Sequence, residues 1–346
     1  MNLGPKTLGL GHPVFIAFEV GPTIEGIGSA LQLVDAVGVA EADAVKVQML
    51  NPDTLMGHDA QVTYLDAEGY RHTESLREVL QRRVLTPDEW RIVKKRSDEA
   101  GLAFIATVDH PDTLGLAVEL GAHALKVMSG DVNHVEWIRE MARAGLPLML
   151  DTGNATLGEV EVAVEAAMGE GIADLVIHQV PTGYPARLVS INLRMIETLR
   201  QMFPACSLGF SDHTIGRDMD IAAVALGVHM IEKTLTISRR TRGPEHGFSL
   251  EPQEAGAFVK AIRDVETALG MARRSLGAAE RAGKVLSRRS AFVTEHLCAG
   301  ATLTAEDIAW RRPGDGIEPR EGPYLVGRRL ARDVSAGTKL AWSDVV

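Results

Sequence analysis

Short, mostly uninterrupted apolar runs recur along the first three-quarters of the chain, at residues 14–19, 44–48, 103–108, 124–127, 147–151, 175–179, 208–211 and 230–234. They lack the strict alternation of half-exposed strands and read as parallel strands covered on both faces. Helical patterns lie between them. Thr86-Pro87-Asp88-Glu89 combines an N-cap, a proline at the first helical position and a glutamate able to reach back to the cap, and Gly101 ends that helix. Thr156-Leu157-Gly158-Glu159 is a second capping box, after which Leu157, Val160, Val164 and Met168 recur at helical spacing. Phe258, Ile262, Val265 and Leu269 mark the last helix of the series, closed by Gly270.

Eight strand-then-helix units predict an α/β protein with a (β/α)8 TIM barrel. An open doubly wound sheet is the alternative, but Gly21-Pro22-Thr23-Ile24-Glu25-Gly26 lacks the Gly-x-Gly-x-x-Gly turn that would favour it. Residues 51–83 are long for a strand-to-helix connection and predict an active-site loop, with room for a short helix. The barrel is expected over residues 1–275, a basic Ala/Gly-rich linker or exposed helix over 276–289, and a small domain over 290–346. In that domain Ala299-Gly300-Ala301-Thr302-Leu303 leads to Asp307-Ile308, and Ala336-Gly337-Thr338-Lys339-Leu340 leads to Asp344-Val345 at the same spacing. Two copies of one unit imply pseudo-symmetry, too short for a solenoid.

The 346 residues are 45% hydrophobic and 24% charged, with a net charge of −10, which excludes global disorder and gives no support to a nucleic-acid surface. Two cysteines, Cys206 and Cys298, form no framework and suit a reducing compartment. No signal peptide or membrane-spanning run is evident, so a cytoplasmic location without membrane partners is expected.

Candidate chemistry gathers at the strand ends, which in a barrel face the active site. These ends carry Glu19; Lys46 and Gln48; Thr107 and Asp109; Lys126, Ser129 and Asp131; Asp151 and Thr152; His178, Gln179, Thr182 and Tyr184; Ser211, Asp212, His213 and Thr214; and Glu232 and Lys233, with Glu245 and His246 beyond. Any one of these has a structural alternative, such as an ion pair inside the barrel or a hydrogen-bonded core histidine at His178. His123 and His229 fall near the opposite face and are given no role. Together, two lysines and several hydroxyls on one face suit a small anion carrying phosphate and carboxylate.

The stretches Ala42-Asp43-Ala44-Val45-Lys46-Val47-Gln48, Leu125-Lys126-Val127-Met128-Ser129-Gly130, Thr152-Gly153-Asn154-Ala155-Thr156-Leu157, Gly209-Phe210-Ser211-Asp212-His213-Thr214, Ile231-Glu232-Lys233 and Gly243-Pro244-Glu245-His246 resemble, in order, the sialic acid synthases. That family includes legionaminic and pseudaminic acid synthases and spore-coat polysaccharide protein E. Ser287-Arg288-Arg289-Ser290, Arg311-Arg312-Pro313-Gly314 and the C-terminal repeat resemble its antifreeze-like (SAF) domain.

The resemblance implies condensation of phosphoenolpyruvate with an N-acetylated amino-sugar aldehyde, giving a nonulosonic acid and phosphate for surface polysaccharide biosynthesis. It implies that Lys46, Thr107, Lys126, Ser129 and Ser211 hold phosphoenolpyruvate, with Asp151 where the family has a serine. It implies sugar-side or acid/base roles for Glu19, Gln48, Tyr184 and Glu245, with Asp131 in place of a glutamate and Thr182 in place of an Asn- or Ser-type substrate contact. His213 matches a metal ligand for Mn²⁺ or Mg²⁺, Glu232 lies beside that site, and Thr234 replaces the second histidine ligand. Arg312 would reach the sugar of a partner barrel in a domain-swapped homodimer. Thr23-Ile24 stands where the family has Asn-His. The departures leave two alternatives open: an enzyme of the same fold with changed metal use or reaction, or a catalytically silent carbohydrate-binding protein.

Overall fold

The computed structural model describes residues 1–346, which divide into two compact units, Met1–Gly270 and Met271–Val346. Eight parallel strands close the first unit into a barrel: β1 Phe15–Glu19, β2 Ala44–Met49, β3 Ala103–Val108, β4 Ala124–Val127, β5 Leu148–Asp151, β6 Leu175–Gln179, β7 Ser207–Asp212 and β8 Met230–Thr234. The helices that follow them are α1 Gly26–Val39, α2 Pro87–Glu99, α3 Pro111–Glu119, α4 Val135–Arg143, α5 Leu157–Gly169, α6 Met195–Met202, α7 Asp218–Ala225 and α8 Pro252–Leu269. This excludes the open doubly wound sheet. Both expected capping boxes form: Thr86 caps α2 with Glu89, and Thr156 caps α5 with Glu159.

The strands are buried along nearly their whole length because they carry two cores. Outward-facing Ile16, Phe18, Val45, Val47, Phe104 and Ile177 pack beneath the helices. Inward-facing Phe15, Ala17, Ala44, Ala103, Ile105, Met149, Val176 and Met230 fill the barrel together with Leu3 and Leu8. Leu3 lies in, and Leu8 directly follows, the hairpin Asn2–Leu3 with Lys6–Thr7, which pairs antiparallel; two-residue strands leave too little alternation to be read in the sequence. His123 and His229 accept from the backbone nitrogens of Phe104 and Leu208, at 2.9 and 3.1 Å, and so serve the main chain.

The excursion at 51–83 holds more than a short helix. After the helix Pro52–Leu55 comes a hairpin, Gln61–Leu65 with Arg71–Ser75, and then the helix Leu76–Gln81. The hairpin turns at Asp66, whose carboxylate accepts from Glu68 N and Tyr70 N at 3.1 and 2.8 Å.

The second unit starts with the helix Ala278–Ser287, where a linker over 276–289 was one expectation. Its end is tied to the rest of the unit by Gly314 N donating to Val285 O at 2.7 Å. The repeated sequence builds a repeated structure. Gly300 and Gly337 both adopt positive φ (82° and 79°), and Leu303 and Leu340 enter one core with Ile308 and Val345. The copies are bound crosswise. Gly300 N donates to Leu330 O and Leu303 N to Arg328 O, while Gly337 N donates to Val293 O and Leu340 N to Ala291 O. Each copy is thus fastened to the segment that precedes the other.

Candidate active site at the C-terminal mouth of the barrel

Parallel register brings the polar strand ends side by side. Glu19 lies opposite Lys46, Gln48 opposite Thr107, Thr107 opposite Lys126, Asp151 opposite His178, and Ser211 opposite Glu232. A cavity of about 360 Å³ opens over them. Among the candidate residues it is lined by Glu19, Lys46, Gln48, Thr107, Lys126, Ser129, Asp151, Tyr184, His213, Glu232 and Glu245.

The floor is a buried array of opposite charges. Lys46 contacts Glu19 Oε2 and lies 4.0 Å from Glu232, while Lys126 Nζ donates to both Glu232 oxygens at 2.6 and 2.8 Å and lies 2.9 Å from Asp151. Glu19 also accepts from Gly21 N at 2.8 Å and Gln48 Nε2 at 3.1 Å. Ser211 donates to Glu232 at 3.1 Å, and His178 Nδ1 is 3.0 Å from Asp151. Burial brings the Lys46 ammonium down to about 8. Burial acts the same way on Lys126, but Asp151 and Glu232 outweigh it and raise that ammonium above its usual value. Glu232 is held well below the usual carboxylate range: burial opposes its ionisation, and Lys126 and Lys46 prevail. Thr107 completes the floor with a buried hydroxyl that has no hydrogen-bond partner.

Gly21 maintains this floor. A methyl group there would overlap the Gln48 backbone nitrogen and side chain. Gly21→Ala is expected to destabilise the barrel by roughly 1–3 kcal/mol, an overpacking cost. An unshifted urea midpoint would show that β2 yields instead.

Several candidates lie elsewhere. Asp131, on the 3-10 turn Ser129–Asp131, does not line the cavity; partial burial raises its carboxyl above the ordinary range. Thr182 is exposed and lines a separate cleft with Thr152 and Gln179. Ser211 reaches the array only through Glu232. Arg312 belongs to the second unit, directly after the strand Ile308–Arg311. Asp212 and Lys233 point away from the cavity, because neighbours of the inward Ser211 and Glu232 must alternate outward. There Lys233 Nζ contacts Asp212, donates to Thr214 O at 2.8 Å and lies 3.3 Å from Asp220 of α7.

The donor set does not suit a resident divalent ion. No three His, Cys, Asp or Glu side chains converge in a way that could hold one. His213 donates from Nδ1 to Pro181 O at 3.1 Å, leaving Nε2 as its free donor to a metal, and its ring packs on Tyr184 at 4.7 Å. Glu19, Glu232 and Asp151 are already engaged by ammonium groups, and buried Thr234 offers a neutral hydroxyl in place of an imidazole. His213 is thus the single imidazole facing the cavity, with Thr234 at the position of the second.

Sequence reasoning missed one face of the cavity. Leu50, Leu55, Val62, Leu76 and Leu80 form an apolar flank contributed by the 50–83 segment, and Arg83 follows them. The length of that segment was the main signal, since apart from Leu50, which directly follows β2, none of these residues sits at a barrel-strand end.

Comparison with known proteins matches residues 33–274 to the NeuB family and residues 288–346 to the SAF domain. The chain is 32% identical over 347 aligned residues to the N,N'-diacetyllegionaminic acid synthase of Legionella pneumophila, covering 99% of this chain and 97% of that protein. It is 31% identical to the spore coat polysaccharide biosynthesis protein SpsE of Bacillus subtilis, covering 100% and 97%. The crystal structure of N-acetylneuraminic acid synthetase from Leptospira borgpetersenii superposes with a TM-score of 0.72 at 27% identity, covering 82% of this chain and 94% of that one. With the barrel, the mouth and the terminal repeat in place, the chain belongs to the NeuB family and ends in a SAF domain.

Proposed function

We propose that the protein condenses phosphoenolpyruvate with an amino-sugar aldehyde to give a nonulosonic acid and inorganic phosphate. The observation that carries this reading is the buried floor, where two ammonium groups and an unpartnered Thr107 hydroxyl meet a cavity of small-molecule size. A buried hydroxyl without a partner costs free energy unless a ligand supplies one. Lys46, Lys126, Thr107 and Ser129 would hold the phosphate and carboxylate, and the family relatives named for nonulosonic acid synthesis give the reaction class.

Glu19 and Glu232 keep the ammonium groups placed before the anion arrives. Gln48, Tyr184 and Glu245 line the remaining wall and would orient the sugar, so the methylene carbon of phosphoenolpyruvate meets the aldehyde carbon at close range. Arg312 and a domain-swapped homodimer remain part of this proposal through the family resemblance. No helix is long and apolar enough to cross a membrane.

The test is release of inorganic phosphate from phosphoenolpyruvate across a panel of N-acetylated hexosamines and their deoxy analogues. Phosphate is expected only when both reactants are present. Phosphate release without sugar, or none with any amino sugar, overturns the reading.

A further inference from the structure

Three basic side chains line the cavity: Lys46, Lys126 and Arg83. The two lysines are saturated by carboxylates. Arg83 is different. Its side chain is only 11% exposed and its one carboxylate within 4 Å is Glu245, at 3.8 Å, beyond hydrogen-bond reach. Its guanidinium makes no hydrogen bond within the protein, Glu245 being too far at that distance. Burial pulls its guanidinium below the ordinary arginine value, with Glu245 opposing.

Its setting sharpens the contrast. Arg83 emerges from the segment that supplies the apolar flank of Leu55, Val62, Leu76 and Leu80. A donor beside such a wall, shielded from water, acts on an oxygen far more strongly than in bulk solvent. Glu245, 3.8 Å from Arg83, also raises the Tyr184 hydroxyl above its usual range, and all three residues line the same cavity. A guanidinium so placed, beside an apolar wall, suits a neutral oxygen that becomes negative during reaction.

We infer that Arg83 holds the acceptor's carbonyl oxygen and stabilises the alkoxide that forms on it, a role that rests on the condensation reading of the same site. In that step the methylene carbon of phosphoenolpyruvate bonds to the carbonyl carbon, and the carbonyl π pair moves to the oxygen facing Arg83. Water supplies the hydroxyl that adds to C2 and, in net balance, the proton taken by the alkoxide. Collapse at C2 then breaks the C–O bond to phosphate, releasing inorganic phosphate and the keto acid. Arg83 stays protonated throughout and acts as a donor.

The test pairs turnover with binding. Arg83→Ala is expected to lower kcat by roughly 100-fold or more, as for loss of one oxyanion donor, while calorimetric affinity for phosphoenolpyruvate stays within about threefold of wild type. Added guanidinium chloride at millimolar concentration is expected to restore kcat at least about tenfold, whereas Mn²⁺ does not restore it. If the alanine variant does not fold, Arg83→Lys keeps a cation beside Glu245 and is expected to lose kcat at least about tenfold with phosphoenolpyruvate affinity retained.

Parallel loss of phosphoenolpyruvate affinity, rescue by Mn²⁺ in place of guanidinium, or kcat within threefold of wild type overturns the inference alone. A wild-type protein that releases no phosphate with any amino sugar removes the condensation reading, and this inference with it.

Discussion

Lys126→Met is expected to weaken phosphoenolpyruvate binding at least about 30-fold and to abolish most turnover. Lys126 Nζ is the hub of the floor, bonded to both Glu232 oxygens and 2.9 Å from Asp151. Truncating one partner of a buried charge pair costs about 2–5 kcal/mol, because the other charge is left unmatched. Here two carboxylates would be left so, on the face where an anion must bind. Calorimetry with phosphoenolpyruvate reads the effect, and affinity within threefold of wild type would remove Lys126 from the anion site. Lys46 adds a pH signature. Burial lowers its ammonium to about 8, so its charge in the free protein is present below that pH and lost above it. Phosphoenolpyruvate affinity should therefore weaken as pH rises past about 8, and Lys46→Met should flatten that limb.

The second large effect concerns stability. Lys233→Met is expected to destabilise the barrel by about 3–5 kcal/mol, the cost of breaking a buried ion pair from one side. Lys233, Asp212 and Asp220 are fully inaccessible to solvent, and the lysine is the only cation paired with either carboxylate. Asp220 shows how tight the arrangement is. Burial drives its carboxyl well above the ordinary range even with Lys233 beside it. Thermal unfolding should show a midpoint lower by about 6–20 °C for a domain of this size. The double variant Lys233→Met/Asp220→Leu should recover part of the loss. A midpoint within 2 °C for the single variant would mean that the cluster contributes little.

Much of this architecture was legible before any coordinates. The strands at 103–108, 124–127, 175–179 and 230–234 have the expected bounds because a strand covered on both faces writes an unbroken apolar run, and Gly or polar residues punctuate it. The floor was legible for the same reason: charged residues such as Lys46, Lys126 and Glu232 interrupt these apolar runs near the strand ends, where a barrel places its mouth. Orientation was harder. Ser211-Asp212-His213 reads as one polar cluster, yet strand alternation sends Asp212 outward to Lys233 while Ser211 joins Glu232. Asp131 and Thr182 sit on turns, where no period fixes direction, and both fall outside the cavity. Arg83 and the leucine flank were invisible because their placement depends on a hairpin whose second strand, Arg71-His72-Thr73-Glu74-Ser75, carries no apolar signal.

The crosswise fastening of the SAF repeat bears on how that domain comes apart. Since Gly300 and Leu303 hold on to Leu330 and Arg328, while Gly337 and Leu340 hold on to Val293 and Ala291, neither half can peel away and leave the other intact. Fraying at one end strips partners from the middle of the opposite half. Such reciprocity favours a single, all-or-none opening over stepwise melting, so amide protons in both halves should exchange with solvent at a common rate.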